Sequence, residues 1–277
     1  MKFFWGVFLA LVCGYAVSCS DDYSSTALNE APAVRIEDIP TKNLRSSSSS
    51  VPSSSSFGQF NDSIPYGELV DMRDGKSYRT VLIGDQLWMA ENLNYGDSVS
   101  TPSLKGNTWC GGGDSLKNDC GIYGRLYTWA AGGELCPEGW RMPSMEDFMT
   151  LAKNFGGMAF AGEALKSDAV GWGKLGGSNA SGFSALGAGY RHHDGDILEI
   201  NNKGVFMTSS VGYRKDLMDA GRGSANIDVF VITDELVGVE FGRCVFSEGL
   251  SIRCIKDDEY GEGRIITEGE DSEEDGE

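Results

Sequence analysis

Five cysteines lie in the central part of the chain, and their pairing limits how that part can fold: Cys110, Cys120, Cys136, Cys244 and Cys254. Disulfides persist in exported proteins, whereas a cytosolic cysteine is more often a metal ligand or a catalytic group. Because five is an odd number, at least one thiol is left over if the others pair. Cys110 and Cys120 flank the short polar loop GGGDSLKND, which a bridge of its own could close. The role of Cys136 therefore depends on whether the chain is exported.

The N-terminus predicts export. Lys2 is the only charged side chain before Asp21, and the apolar run FFWGVFLALVCGYAV leads to the small residue Ser18. A basic start, an apolar core and a small-residue cleavage site are the parts of a secretory signal. The run is slightly shorter than the roughly 20 residues of a membrane span. The stretch AVSC resembles a bacterial lipobox, which implies a signal peptide over residues 1–18 and a lipidated Cys19; an ordinary signal with an incidental cysteine is the alternative.

The segments on either side of the central region have compositions typical of disordered chain. Residues 19–57 include RSSSSSVPSSSSF and cannot bury enough apolar surface to fold, so we predict a flexible tether. Residues 258–277 form an acidic tail, and the net charge of −18 gives no electrostatic reason to bind nucleic acid. Residues 58–257 remain as one domain. We expect a lipid anchor to hold it at the bacterial cell envelope, on the outer membrane.

The pattern of the domain predicts many short strands and few helices. Turn residues such as Asp74-Gly75 separate apolar runs of strand length, among them GVFMTSS and IDVFVITDEL. The clearest helix follows Ser144, which can cap it, and Asp147 completes a capping-box pattern. Gly156-Gly157 should end this helix, and a second, shorter helix is predicted over residues 162–166. This combination predicts an α+β fold.

Five stretches of the domain occur in a recognisable order: YRTVLIGDQLWMAENLNY, YGRLYTWAA, CPEGWRMPSMEDF, GFSALGAGYR and GLSIRCIKD. Together they resemble the Fibrobacter succinogenes major paralogous domain of exported bacterial proteins, over about Asp71 to Asp257. WRMPSMEDFMTLA is also similar to a helix start in the sulfatase-modifying (formylglycine-generating) family. Both resemblances imply a C-type-lectin-like domain with two short helices and an irregular antiparallel sheet, stapled by disulfides. The Fibrobacter domain family has no established catalytic activity, so that resemblance implies no catalytic residues.

The resemblance also implies how the cysteines pair. Cys136 and Cys254 match the two cysteine motifs of the family, so we expect this bridge beside Cys110–Cys120, with Cys244 left free. Formylglycine-generating enzymes bind copper through two cysteines a few residues apart. Here Cys244 and Cys254 are ten residues apart, and Cys254 is expected in a bridge, so we expect no oxidase activity and no cofactor. Cys136 is then a structural residue.

A ligand site is expected on the long polar loops, because loops carry most binding residues. Trp109 lies beside the glycine-rich loop that contains Asp114 and Asp119, where an exposed indole could stack on a sugar. We predict that these three residues form one concave surface with His192 and Asp194. The acidic groups could hold Ca²⁺, but the triplets of calcium-dependent lectins are absent.

We expect no metal at the pair His192-His193. Adjacent strand residues point to opposite faces, so both imidazoles, with Asp194 and Asp196, could meet at one ion only if the chain turned there. The predicted function is therefore a binding or adhesion module, not an enzyme, whose ligand is a carbohydrate or an envelope protein. A structural envelope scaffold is the first alternative, and a copper oxidase is the second.

Overall fold

The structure is a computed structural model that describes residues 59–112, 120–132, 135–168, 171–212 and 226–257. Within these ranges it has one short 3-10 helix (Pro102–Leu104) and four α-helices, α1 (Cys120–Tyr123), α2 (Trp129–Gly132), α3 (Met145–Lys153) and α4 (Ala161–Leu165). Its strands are β1 (Gly67–Val70), β2 (Ser77–Ile83), β3 (Gln86–Met89), β4 (Thr108–Cys110), β5 (Arg125–Tyr127), β6 (Trp140–Arg141), β7 (Tyr190–Arg191), β8 (Ile197–Leu198), β9 (Lys203–Gly212), β10 (Asn226–Thr233), β11 (Val239–Val245), β12 (Leu250–Ser251) and β13 (Ile255–Lys256). The predicted α+β class is confirmed.

The strands form three sheets. One has the order β1-β2-β3-β13-β6, the second has the order β11-β10-β9-β12-β5-β4, and β7 and β8 form a separate pair. Pairing is antiparallel except for a parallel contact between β12 and β9. Only residues 252–254 separate β12 from β13, yet these strands belong to different sheets. This short segment therefore ties the two large sheets together.

Helix α3 begins where the sequence predicts. The Ser144 hydroxyl accepts the amide of Asp147 at 3.2 Å, and the Asp147 carboxylate accepts the amide of Ser144 at 2.7 Å. Arg141 donates two hydrogen bonds of 2.7 and 3.0 Å to the same carboxylate. Burial acts to raise the pKa of Asp147, but the bonds from Arg141 and Ser144 lower it below its ordinary value. Phe148 and Leu151 form the buried face of the helix.

The other helices differ from the expectation of two. Helix α4 lies one residue earlier than predicted, and α1 and α2 were not predicted because four residues are too few to show a helical period. No helix in the described ranges is long and apolar enough to cross a membrane. The predicted signal peptide, Cys19, the tether and the acidic tail lie outside the residues that the structure describes.

A buried arginine joins three of the quoted stretches. Arg253 is fully buried, and its guanidinium donates to Asn92 Oδ1 at 3.1 and 2.8 Å. The guanidinium also donates to the carbonyls of Phe183 and Ser184, and its central carbon lies 4.4 Å from the Phe183 ring centroid. Burial lowers the pKa of Arg253 to about 9, against the opposing charge of Glu91. These three stretches therefore contribute residues that hold the fold together.

The structure contains both predicted disulfides. Cys110 and Cys120 have Cα atoms 4.6 Å apart, and those of Cys136 and Cys254 are 5.8 Å apart. The second bridge closes a loop of 118 residues, for which the chain-entropy model gives about 4–5 kcal/mol of stabilisation. Cys244 is also disulfide-bonded, so the prediction of a free Cys244 thiol is wrong.

Candidate functional site

The β7–β8 hairpin lies against the turn that precedes β12. Arg191 and Gly249 exchange two backbone hydrogen bonds of 2.8 Å. A Cβ on Gly249 would lie 2.9 Å from that of Arg191, so the close approach requires glycine. The Arg191 guanidinium carbon lies 3.9 Å from the ring centroid of Trp109, on edge strand β4. We call the following five residues the histidine surface: Trp109, Arg191, His192, His193 and Glu248.

A turn brings the two imidazoles together. Strand β7 ends at Arg191, the His192 amide donates to the Asp196 carbonyl at 2.8 Å, and the Gly195 amide donates to the His192 carbonyl at 3.0 Å. The two histidines are therefore not consecutive strand residues, and their ring centroids lie 3.9 Å apart. The turn that a shared site requires is present.

Asp194 contacts both imidazoles. Its carboxylate lies 3.0 Å from His192 Nδ1 and 3.1 Å from His193 Nε2. The Asp194 amide also lies 3.3 Å from His192 Nδ1, but the shorter contact with the carboxylate favours an Nδ1–H that donates to it. Asp196 contributes its backbone carbonyl to the turn, and its side chain is exposed. One carboxylate thus orients two rings.

Sequence reasoning missed Glu248. The Glu248 amide donates to the Val245 carbonyl at 3.1 Å, and its carboxylate accepts the Val245 amide at 3.2 Å, which fixes the side chain in the turn. The residue is fully buried, and burial raises the pKa of its carboxyl to about 7. Ligand atoms of Glu248, His192 and His193 all lie within 4.8 Å of one another. No local motif marks Glu248, because its neighbours come from another part of the chain.

The Trp109 indole, predicted to stack on a sugar, is only partly accessible to one. Trp109 is half-buried, with Arg191 over one face of its ring, so a sugar could stack there only by displacing the guanidinium. Through Arg191, Trp109 adjoins His192 and the Asp194 turn. Asp114 and Asp119 lie outside the described residues, so the predicted surface is described only in part.

A second concave region lies at the far end of β10. It is a cavity of about 460 Å³ with a mixed lining of acidic and basic groups, including Lys174, Glu199, Lys203, Asp234 and Glu240. Charged groups of the lining already have hydrogen-bond partners within the cavity: the Asp234 carboxylate accepts a hydrogen bond from the backbone amide of Lys174 at 3.0 Å. Opposite charges within the cavity offer no single sign to attract a charged ligand. The histidine surface is the stronger candidate.

Comparison with known families finds a match for the domain. The model of the Fibrobacter succinogenes major domain matches residues 81–256, which is more than half of the 277 residues. The chain belongs to this family. Comparison with curated proteins and with solved structures finds no match.

The Fibrobacter succinogenes major domain contains the whole histidine surface, because residues 109 to 248 lie within the matched range. Arg191 ends one of the quoted stretches and Gly249 begins another. The hydrogen bonds between these two residues bring the His192-His193 turn to Glu248. The scaffold of the family thus positions side chains that lie just outside its quoted stretches.

Proposed function

We propose that the protein is a lipid-anchored protein of the bacterial cell envelope that displays a C-type-lectin-like binding or adhesion module. The proposed anchor is Cys19, residues 19–57 are the proposed tether, and residues 58–257 are the module. Short helices, antiparallel sheets and the long-range Cys136–Cys254 bridge support a lectin-like arrangement.

The observation that carries the binding proposal is the composition of the histidine surface. An indole, a guanidinium, two imidazoles and a carboxylate come from three separate segments, and His192 and His193 belong to neither large apolar cluster. Ligand sites combine aromatic or apolar side chains with a few convergent polar groups, and the histidine surface has an aromatic ring and such polar groups. Imidazole and guanidinium groups can form hydrogen bonds with the hydroxyls of a polysaccharide. We therefore propose a polysaccharide as the ligand.

The test uses the chain from residue 20 to residue 277, made without lipid and mixed with insoluble plant polysaccharides. The wild type should be retained, and Trp109→Ala and His192→Ala should each weaken retention by about tenfold or more, because each removes a contact group of the proposed surface. Lys174→Ala, in the second cavity, is the control and should bind as the wild type does.

Thermal melts of the same variants separate lost binding from lost folding. Because Trp109 is half-buried, Trp109→Ala should cost less than the roughly 3–5 kcal/mol of a fully buried tryptophan. A larger loss of stability would assign this ring to the core. Failure of the wild type to bind any of the polysaccharides would contradict the proposed ligand class.

A scaffold protein of the envelope is the second candidate, and exposed apolar side chains favour it. Phe160 is 65% exposed and Val237 is 53% exposed, on segments that pack against each other where Gly162 lies close to the Val237 carbonyl. Such surface suits contact with another protein. Chemical cross-linking in intact envelopes should then join the chain to one partner, and Phe160→Ser should reduce that product.

The copper-oxidase alternative finds no support in the cysteines. Cys254 is fully buried and bonded to Cys136, and Cys244 is disulfide-bonded as well. A copper site of that kind needs both sulfurs as thiolates. Both would have to be reduced before they could bind the ion.

A further inference from the structure

We propose that His192, His193 and Glu248 form a binding site for a divalent transition-metal ion such as Zn²⁺. This goes beyond the proposed binding function and does not depend on it, since the ion can be titrated without any second ligand. Two imidazoles and a carboxylate are a donor set that Zn²⁺ uses in proteins. Ca²⁺ and Mg²⁺ instead prefer oxygen donors.

The spacing of the donor atoms fits such a site after a small adjustment. One ligand atom from each residue lies within 4.8 Å of the other two. Ligands about 2.0–2.1 Å from a tetrahedral ion lie roughly 3.3 Å apart, so the three groups need to close by at most about 1.5 Å. The His193 side chain is 41% exposed, so it can rotate toward the ion without disturbing the core.

Asp194 contacts one nitrogen of each imidazole. Asp194 faces His192 Nδ1 and His193 Nε2, which leaves His192 Nε2 and His193 Nδ1 as the nitrogens that do not face it. A carboxylate that holds the second nitrogen of a histidine ligand fixes the ring and raises its basicity. Asp194 is therefore a positioning residue for both rings.

The local charge also favours a cation. Glu248 is a fully buried carboxylate close to the two imidazoles, and its negative charge would attract a cation rather than an anion. Asp194 and Asp196 add negative charge on the turn. Arg191 is a cation beside the site; its guanidinium carbon lies 3.9 Å from the Trp109 ring centroid, and its Nη1 donates to the His192 carbonyl at 3.3 Å.

The experiment is a calorimetric titration of the metal-stripped chain, residues 20–277, with zinc chloride at pH 7.5. We expect one Zn²⁺ per chain with a dissociation constant of about micromolar or below. The double variant His192→Ala/His193→Ala is the matched control for ions held by the acidic tail, since the chain has only these 2 histidines. It should weaken binding by at least about tenfold, and so should Glu248→Gln.

Two further variants keep the test decisive. If Glu248→Gln does not fold by circular dichroism, His193→Ala replaces it, because its side chain is partly exposed. Asp194→Asn should weaken Zn²⁺ binding by about 10- to 100-fold, whereas Glu138→Gln, an exposed acid elsewhere, should not change it. Three results would overturn the proposal: no binding at roughly 100 μM zinc, unchanged affinity in the double histidine variant, or equal affinity for Ca²⁺.

Discussion

Replacing Arg253 by methionine should destabilise the whole domain. The substitution keeps an unbranched side chain of similar length and removes the guanidinium. Its acceptors, Asn92 Oδ1 and the carbonyls of Phe183 and Ser184, then lose their donor in a region where water cannot replace it. Because the acceptors remain while their partner is removed, the change differs from replacing a whole buried polar network by apolar groups.

The magnitude follows from these contacts. Each buried acceptor without a partner costs about 1–3 kcal/mol, so three of them cost roughly 3–9 kcal/mol. Removing the buried charge offsets part of this cost, since burial already lowers the pKa of Arg253 to about 9. The net loss should be about 3–5 kcal/mol, as for other buried ionic groups that lose one partner. For a domain of this size that is a decrease in Tm of roughly 6–20 °C.

The assay is thermal unfolding of the oxidised chain, followed by circular dichroism. Arg191→Met is the matched control: it makes the same chemical change at the histidine surface, where the lost cation–π contact with Trp109 should cost about 0.5–1 kcal/mol. Values of Tm for the two variants within about 3 °C of each other would refute the assignment of Arg253 as the group that joins the three stretches.

Three further predictions concern the anchor, the long bridge and the buried acid. Cys19→Ala should release the protein from membranes or block its processing, and cell fractionation that finds it processed and membrane-bound would exclude lipidation. Cys136→Ser with Cys254→Ser should lower the free energy of unfolding by about 4–5 kcal/mol in denaturant titrations, and a loss below about 1 kcal/mol would show that the bridge is dispensable. Burial raises the pKa of Glu248 from 4.5 to about 7, so the folded state holds this proton more tightly than the unfolded chain. The free energy of unfolding of the metal-free protein should therefore decrease as the pH rises from about 4.5 to 7, by up to roughly 3 kcal/mol. Glu248→Gln should remove that part of the pH dependence of Tm.

The sequence by itself determined the features that depend on neighbours in the chain. Ser144 and Asp147 are three residues apart, so the capping box that starts α3 is readable before any fold is known. Cys110 and Cys120 close a loop short enough to bridge locally. The α+β class follows from strand-length runs and turn residues, and these too are local. The pairing of Cys136 with Cys254 required the family resemblance, because nothing local links two cysteines so far apart.

The tertiary structure alone decided what meets at the histidine surface. Periodicity and spacing report only on residues within a few positions of one another. Glu248 reaches His192 and His193 because Arg191 and Gly249 pair across two distant segments, and the pairing depends on how both are held by the sheets. The contact between Arg253 and Asn92 has the same origin. Both arrangements depend on the packing of sheets that are built from non-consecutive strands, and the order of those strands cannot be read from local sequence.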